Sequence, residues 1–175
     1  TDIVIKHEGE NQIVNLLKFW ESIESGDNAI EIRNTSFNYD NFLVNFPKNY
    51  EKIDPPNIVP QLKRIKNDLK EYNLYGTFGH VTTALSEDRL SASIIGNRGC
   101  RAACTFCSVA NFMGPKVRST NEDITIDTIK YLYEECGVRY IDWLDDDLVA
   151  YPESSTKLFN RIADLNYDLV FTIQN

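Results

Sequence analysis

Residues Cys100, Cys104 and Cys107 stand at C-x3-C-x2-C spacing on one short loop that follows a predicted strand. No other feature restricts the fold as strongly, because a loop of that shape is built to present thiolates. Such a loop can wrap three corners of a cubane iron–sulfur cluster and leave the fourth iron without a protein ligand. An open iron can bind a further molecule, so the cluster becomes a reaction centre as well as an electron store. Zinc is the main alternative. Structural zinc almost always takes four protein ligands, and the remaining candidates, Cys136, His7 and His80, stand at no usual knuckle spacing. A catalytic zinc with three cysteines and a water needs an acid or base beside it. Disulfides fit poorly, since three of the four cysteines crowd one loop and the fourth ends a predicted helix.

The balance of the chain narrows its partners. A formal net charge of −8 disfavours a nucleic-acid backbone, which needs clustered Lys and Arg. Lys63, Arg64 and Lys66 are interleaved with Asp68 and Glu71 and read as a solvated helix face. Hydrophobic content of 42% suffices for a buried core, and no run is long enough to span a bilayer. No secretion signal is recognisable at the start, which agrees with a reducing cytoplasm where thiolates stay available to iron.

Two rhythms divide the chain. Asp2 to Lys6 reads as a strand, and Asn11 to Ser25 as a helix with Ile13, Leu16, Leu17, Trp20 and Ile23 on one face. Ala29–Arg33 and Asn41–Phe46 read as a β-hairpin. Lys52 to Pro60, with three prolines, reads as a linker, followed by a charged helix over Gln61–Tyr72 and a loop-like stretch to Arg89. From Leu90 the pattern becomes β-loop-α-β-α-β. Its strands are Ser91–Ile95, Arg139–Leu144 and Leu169–Ile173; its helices are Thr120–Cys136, capped by Thr120 and stopped by Gly137, and Glu153–Leu165. That is the spacing of a parallel sheet or barrel. A closed eight-unit barrel needs on the order of 250 residues. The chain also opens on Thr1 directly into a strand, so the expectation is a segment of a longer protein.

The cysteine loop, with Phe106 before its last cysteine, resembles the signature of the radical S-adenosylmethionine enzymes. The likeness extends to Ile95-Gly96-Asn97-Arg98-Gly99-Cys100, to Lys116-Val117-Arg118-Ser119, and to Tyr140–Asp146, a second strand ending in paired aspartates. These stretches resemble the branch with an N-terminal cobalamin-binding domain. Residues 2–10, with the helix after them, are similar to the end of such a domain, although His7 stands where the branch has glycine. The branch's cobalamin-ligating D-x-H-x-x-G motif is absent from the chain. The fold class so implied is α/β: residues 1–51 the tail of a cobalamin-binding-like α/β domain, 52–89 a linker with one helix, and 90–175 the first three strands of a (β/α) radical barrel.

The resemblance also implies roles. Cys100, Cys104 and Cys107 would be the metal ligands, each on one iron of a 4Fe-4S cluster. S-adenosylmethionine would chelate the open iron through its amino and carboxylate groups, and the reduced cluster would cleave its C5′–S bond to give a 5′-deoxyadenosyl radical. Phe106 would pack near the adenine; read from the loop alone, it could equally plug the barrel top. Asp145 and Asp146 sit where active sites of barrels gather, at the C-terminal end of a strand, and one of them would meet the methionine ammonium. As residues alone they could cap the next helix, and Asp147 is expected to face solvent. Arg118 reads as a surface salt bridge, Cys136 as a small buried side chain. No residue is assigned as a catalytic acid or base.

The whole enzyme so implied uses the cluster, S-adenosylmethionine and, where the upstream histidine motif exists, cobalamin. It draws electrons from an external flavodoxin- or ferredoxin-type donor and methylates or rearranges a small molecule or lipid. A methylthiotransferase is the second enzyme reading, against which residues 1–99 contain no cysteine. A non-catalytic iron–sulfur or zinc module is the third; a filled four-cysteine cluster would require Cys136 at the loop.

Overall fold

The computed structural model of the chain describes residues 3–5, 9–25, 35–39, 42–45, 57–69 and 90–173. Its contacts divide it into two units, Thr1–Ile53 and Asp54–Asn175. In the first unit, strand β1 (Ile3–Ile5) precedes helix α1 (Glu10–Ser25), and β2 (Thr35–Tyr39) and β3 (Phe42–Asn45) follow. The strands form one antiparallel sheet in the order β1-β2-β3, with Ile3 opposite Phe37 and Tyr39 opposite Phe42. The first arm of the hairpin is thus 35–39; the run 29–33 read as that arm lies outside the described residues. Helix α1 forms where expected but turns a different face inward. Gln12 and Leu16 are buried, whereas Ile13, Leu17 and Trp20 are 43%, 58% and 56% exposed. Leu16 is thus buried as expected, but the buried face turns towards Gln12 and leaves the rest of the expected stripe, Ile13, Leu17 and Trp20, outside it.

The second unit opens with α2 (Val59–Ile65). Pro60 lies in its first turn, where a missing N–H costs nothing, so it begins a helix and does not belong to a linker. Leu62 packs on the main core, Lys66 pairs with Glu135 at 2.9 Å, and Lys63 lies 5.9 Å from the Tyr131 ring. A turn at 66–68 interrupts the helix expected to run to Tyr72, and Leu69 is helical again. The stretch 70–89 lies outside the described residues.

From β4 (Leu90–Ile94) the chain forms a parallel sheet with β7 (Val138–Trp143) and β8 (Val170–Ile173), in the order β4-β7-β8. Ala92 pairs with Ile141 and Ile94 with Trp143; Ile141 and Trp143 in turn pair with Phe171 and Ile173. These neighbours share one face because side chains alternate along a strand. Ile141 and Trp143 are essentially inaccessible there, packed with Ile129 and Leu132. Phe159 meets Trp143 edge-on at 6.0 Å and Phe171 lies 5.9 Å from it. The other face carries Ser91, Ser93, Tyr140, Asp142 and Thr172 at matching register positions. Asp142 is fully buried, and its carboxylate accepts from the Thr172 hydroxyl.

Two helical connections join the strands. Between β4 and β7 the chain makes β5 (Asn97–Arg98), the short α3 (Val109–Phe112), β6 (Arg118–Ser119) and α4 (Glu122–Lys130), which runs into a π-helical turn at Tyr131–Glu135. Between β7 and β8 lies α5 (Pro152–Asp164). The cap of α4 is Asn121, whose Oδ1 accepts from the Asp123 N–H at 2.8 Å. Thr120, read as the cap, instead donates its N–H to the Gly96 carbonyl at 2.7 Å and ties the helix start to the strand end. Gly137 follows the π turn at φ +74°, a left-handed conformation that a Cβ would strain. Arg161 and Lys157 of α5 reach Glu122, and Arg161 also reaches Asp123, at 2.7–3.3 Å.

Candidate iron–sulfur site

The cysteine loop stands on a stem the sequence did not reveal. Asn97 and Arg98 pair antiparallel with Ser119 and Arg118, closing the segment between them into one projecting loop. Gly99 begins it at φ +91°, where a Cβ would fall 2.4 Å from the Lys116 carbonyl oxygen, so no other residue fits that crossing. On the returning arm, Arg118 is half-buried and donates to the Met113 carbonyl at 3.0 Å, bracing the loop from within. The Tyr151 hydroxyl donates to the Val117 carbonyl at 3.3 Å.

Cys104 and Cys107 are exposed, Cys100 half-buried, and all three are free thiols. Cys107 donates its N–H to the Cys104 carbonyl at 3.2 Å, so the C-x2-C pair spans one tight turn. Cys100 Sγ accepts from the Ala102 N–H at 3.4 Å. Phe106 is 91% exposed beside Cys107. Cys136 lies before the opposite end of β7, whose six residues span about 17 Å. It is half-buried against the core, and burial raises its thiol pKa. His7 and His80 lie outside the described residues.

The run Asp145-Asp146-Asp147 faces this loop, because β7 is the parallel neighbour of β4 and both chains leave the sheet at the same end. The Leu144 N–H donates to the Ile94 carbonyl at 2.9 Å and carries the pairing past the strand end. Asp145 is buried, and its Oδ1 accepts from the Gly96 N–H at 2.6 Å. Burial pushes its carboxyl up to about 6, against the opposing pull of the Asn97 and Gly96 backbone; the Asp146 charge raises it further. Asp146 Oδ2 accepts from the Gly99 N–H at 2.8 Å. Asp147, expected in solvent, is only 13% exposed at its side chain and pairs with Arg101 Nε at 3.0 Å. Arg101 also donates to the Val149 carbonyl at 3.2 Å, and Asn97 Nδ2 donates to the Asp147 carbonyl at the same distance. Sequence reasoning passed over Arg101, although a cation inside the cysteine loop and an acidic run at a neighbouring strand end was the available signal. Cys100, Arg101, Ala102, Asp146 and Asp147 line an open cleft of about 400 Å³.

The donor set suits a cubane with one open iron. It offers three thiols on one loop, two of them exposed, and the fourth cysteine is held at the far end of the strand. Among the described residues no three His, Cys, Asp or Glu side chains are gathered closely enough to hold a single metal ion. A cubane asks less of them, since each thiolate binds a different iron.

Two solved structures share this architecture. The radical S-adenosylmethionine methyltransferase TsrM from Kitasatospora setae, with tryptophan substrate and a S-adenosylmethionine analogue bound, superimposes over 94% of this chain with a TM-score of 0.57 at 14% identity. The same protein with cobalamin and a [4Fe–4S] cluster gives 0.57 at 16% identity, again over 94% of the chain. The fold is that of a radical S-adenosylmethionine enzyme. No protein-family model matches the chain. Among curated proteins, the cytidylyl-2-hydroxyethylphosphonate methyltransferase of Streptomyces wedmorensis is 29% identical over 69 residues, 39% of this chain and 13% of that protein. A putative methylthiotransferase of Methanocaldococcus jannaschii is 24% identical over 102 residues, 58% of this chain and 18% of that protein. The chain spans less than a third of the length of every one of these proteins; it covers 29% and 30% of the two TsrM chains. The radical S-adenosylmethionine fold thus arrives here with a parallel sheet flanked by helices, and no helix among the described residues is long and apolar enough to cross a membrane.

Proposed function

We propose that this chain is the cluster-holding part of a radical S-adenosylmethionine methyltransferase of the cobalamin class. On this reading residues 1–51 end a cobalamin-type domain, 52–89 connect, and 90–175 begin the barrel. One observation carries it: a three-cysteine loop rises from the C-terminal end of a parallel strand, facing carboxylates from the neighbouring strand end. Cys100, Cys104 and Cys107 hold a [4Fe–4S] cluster as thiolates. When bound and reduced, the cluster supplies the single electron that breaks a carbon–sulfur bond of S-adenosylmethionine.

This chain's own residues bind and orient. Asp146 is half-buried and lines the cleft beside Cys100, where its carboxylate suits the methionine ammonium. Asp145, buried under Gly96, supports the site from beneath. Phe106 offers its exposed ring to the adenine face. The substrate is a small molecule or lipid, and the electron comes from a flavodoxin- or ferredoxin-type donor in the cytoplasm. The methyl-transfer reading is supported by the names of the solved neighbours and of the Streptomyces relative. The methylthiotransferase reading rests on the Methanocaldococcus match, and the absence of cysteine from residues 1–99 speaks against it.

The test uses the full-length protein, reconstituted anaerobically with iron and sulfide and given dithionite and S-adenosylmethionine. Mass spectrometry should find S-adenosylhomocysteine or 5′-deoxyadenosine, and Cys104→Ser should form neither. The absence of both products from cluster-loaded wild type would contradict the proposal.

A further inference from the structure

The three adjacent carboxylates do not act alike, and their hydrogen bonds follow an order. Asp145 takes the Gly96 N–H, Asp146 the Gly99 N–H and Asp147 the Arg101 guanidinium, at 2.6, 2.8 and 3.0 Å. Successive residues after β7 thus grip successive points along the rising arm of the cysteine loop. Cys100 lies between the last two grips, with a clasped residue on each side. The arm is pinned further where Gly99 crosses the Lys116 carbonyl and where Thr120 meets Gly96. Among the described residues, Cys104 and Cys107 are tied only by the hydrogen bond of their own turn, and both are exposed.

We propose that Asp146 and the Asp147–Arg101 pair are positioning residues for the cluster: they fix the Cys100 thiol before metal arrives, so that it is the preformed ligand onto which Cys104 and Cys107 close. The inference rests on the cluster reading above and deepens it. Hydrogen bonds to charged acceptors are the stronger ones, and a ligand with a backbone N–H clasped on one side and a guanidinium on the other loses less freedom on binding iron. Partners that orient ligands without touching the metal typically carry 10- to 100-fold of its affinity.

The experiment follows release of iron to a chelator, and the electron paramagnetic resonance spectrum of the reduced cluster, in the reconstituted full-length protein. Asp146→Ala should release iron about 10-fold faster and shift the spectrum. Asp146→Asn keeps an oxygen for the Gly99 N–H and should restore most of the loss. Arg101→Ala and Asp147→Ala should each accelerate release to a smaller extent, and the double variant should be little worse than Arg101→Ala alone, because both remove the same pair. If Asp146→Ala does not fold, Arg101→Ala decides, since that side chain is 56% exposed. Wild-type release rates and spectra in Asp146→Ala and Arg101→Ala would overturn the clasp while leaving the cluster reading intact. A wild type that takes up no cluster would overturn both.

Discussion

The two ends of strand β7 are built from different materials. Before its first residue, Tyr133 and Tyr167 stack at 4.0 Å and 5°, and the Arg139 guanidinium covers the Tyr133 ring at 3.9 Å. Cys136 sits there half-buried in the core. After its last residue come three carboxylates, each engaged with a loop that exposes two thiols. The contrast follows the division of labour in parallel α/β folds, where the C-terminal face carries chemistry and the N-terminal face stability. Two cysteine environments in one unit teach the same lesson: a thiol packed against side chains is structural, and thiols lifted from the sheet on a braced stem are presented to something.

Both ends depend on the core between them, so the largest expected loss belongs there. Trp143→Ala removes a 1%-exposed indole from between Phe159 and Phe171 and should cost about 3–5 kcal/mol. It should lower the denaturation midpoint and loosen both ends together. If only the loop end responds, the two ends do not share a core. At the carboxylate end, the folded chain retains a proton on Asp145 that the unfolded chain releases. The associated stability is fully present below about pH 3.8 and is lost as the pH rises through about 6, a span worth about 3 kcal/mol. Urea midpoints of the metal-free protein should show wild type losing ground to Asp145→Asn over that range. A difference constant with pH would place the Asp145 carboxyl in contact with solvent. The smallest effect belongs to the opposite end. Tyr167→Phe deletes an exposed hydroxyl bond to Glu134, the main cause that pushes the Tyr167 pKa up to about 12, but keeps the stack. It should change stability by about 0.5 kcal/mol or less. A loss several times larger would move that end from packing to polar control.

The parallel unit was legible in the sequence because period-2 and period-3.6 segments alternate there at regular spacing, and Gly137 marks its own stop. The cysteine loop was legible as a loop because its cysteines crowd a short stretch directly after a strand pattern. Other features were hidden for definable reasons. Two-residue ladders such as β5–β6 are too short to leave a period. Thr120 and Asn121 are both good caps, and only the coordinates show that Thr120 is spent on Gly96. In α1 composition pointed correctly to Leu16, but the exposed Leu17 and Trp20 are more apolar than the buried Gln12, so it placed the edge of the buried face wrongly. The Arg101–Asp147 pair joins residues 46 apart, and it becomes visible only once the register of β4 on β7 is known.

The central claim is that the three thiols of the loop hold a cluster and Cys136, at the other end of β7, does not. Iron and sulfide content of the anaerobically reconstituted full-length protein tests it directly, with absorption near roughly 400 nm as the optical check for a thiolate-ligated cubane. About four irons per chain are expected for wild type and for Cys136→Ser. Cys100→Ser, Cys104→Ser and Cys107→Ser should each lose the cluster. A cluster that survives one of the loop substitutions and disappears in Cys136→Ser would contradict the account.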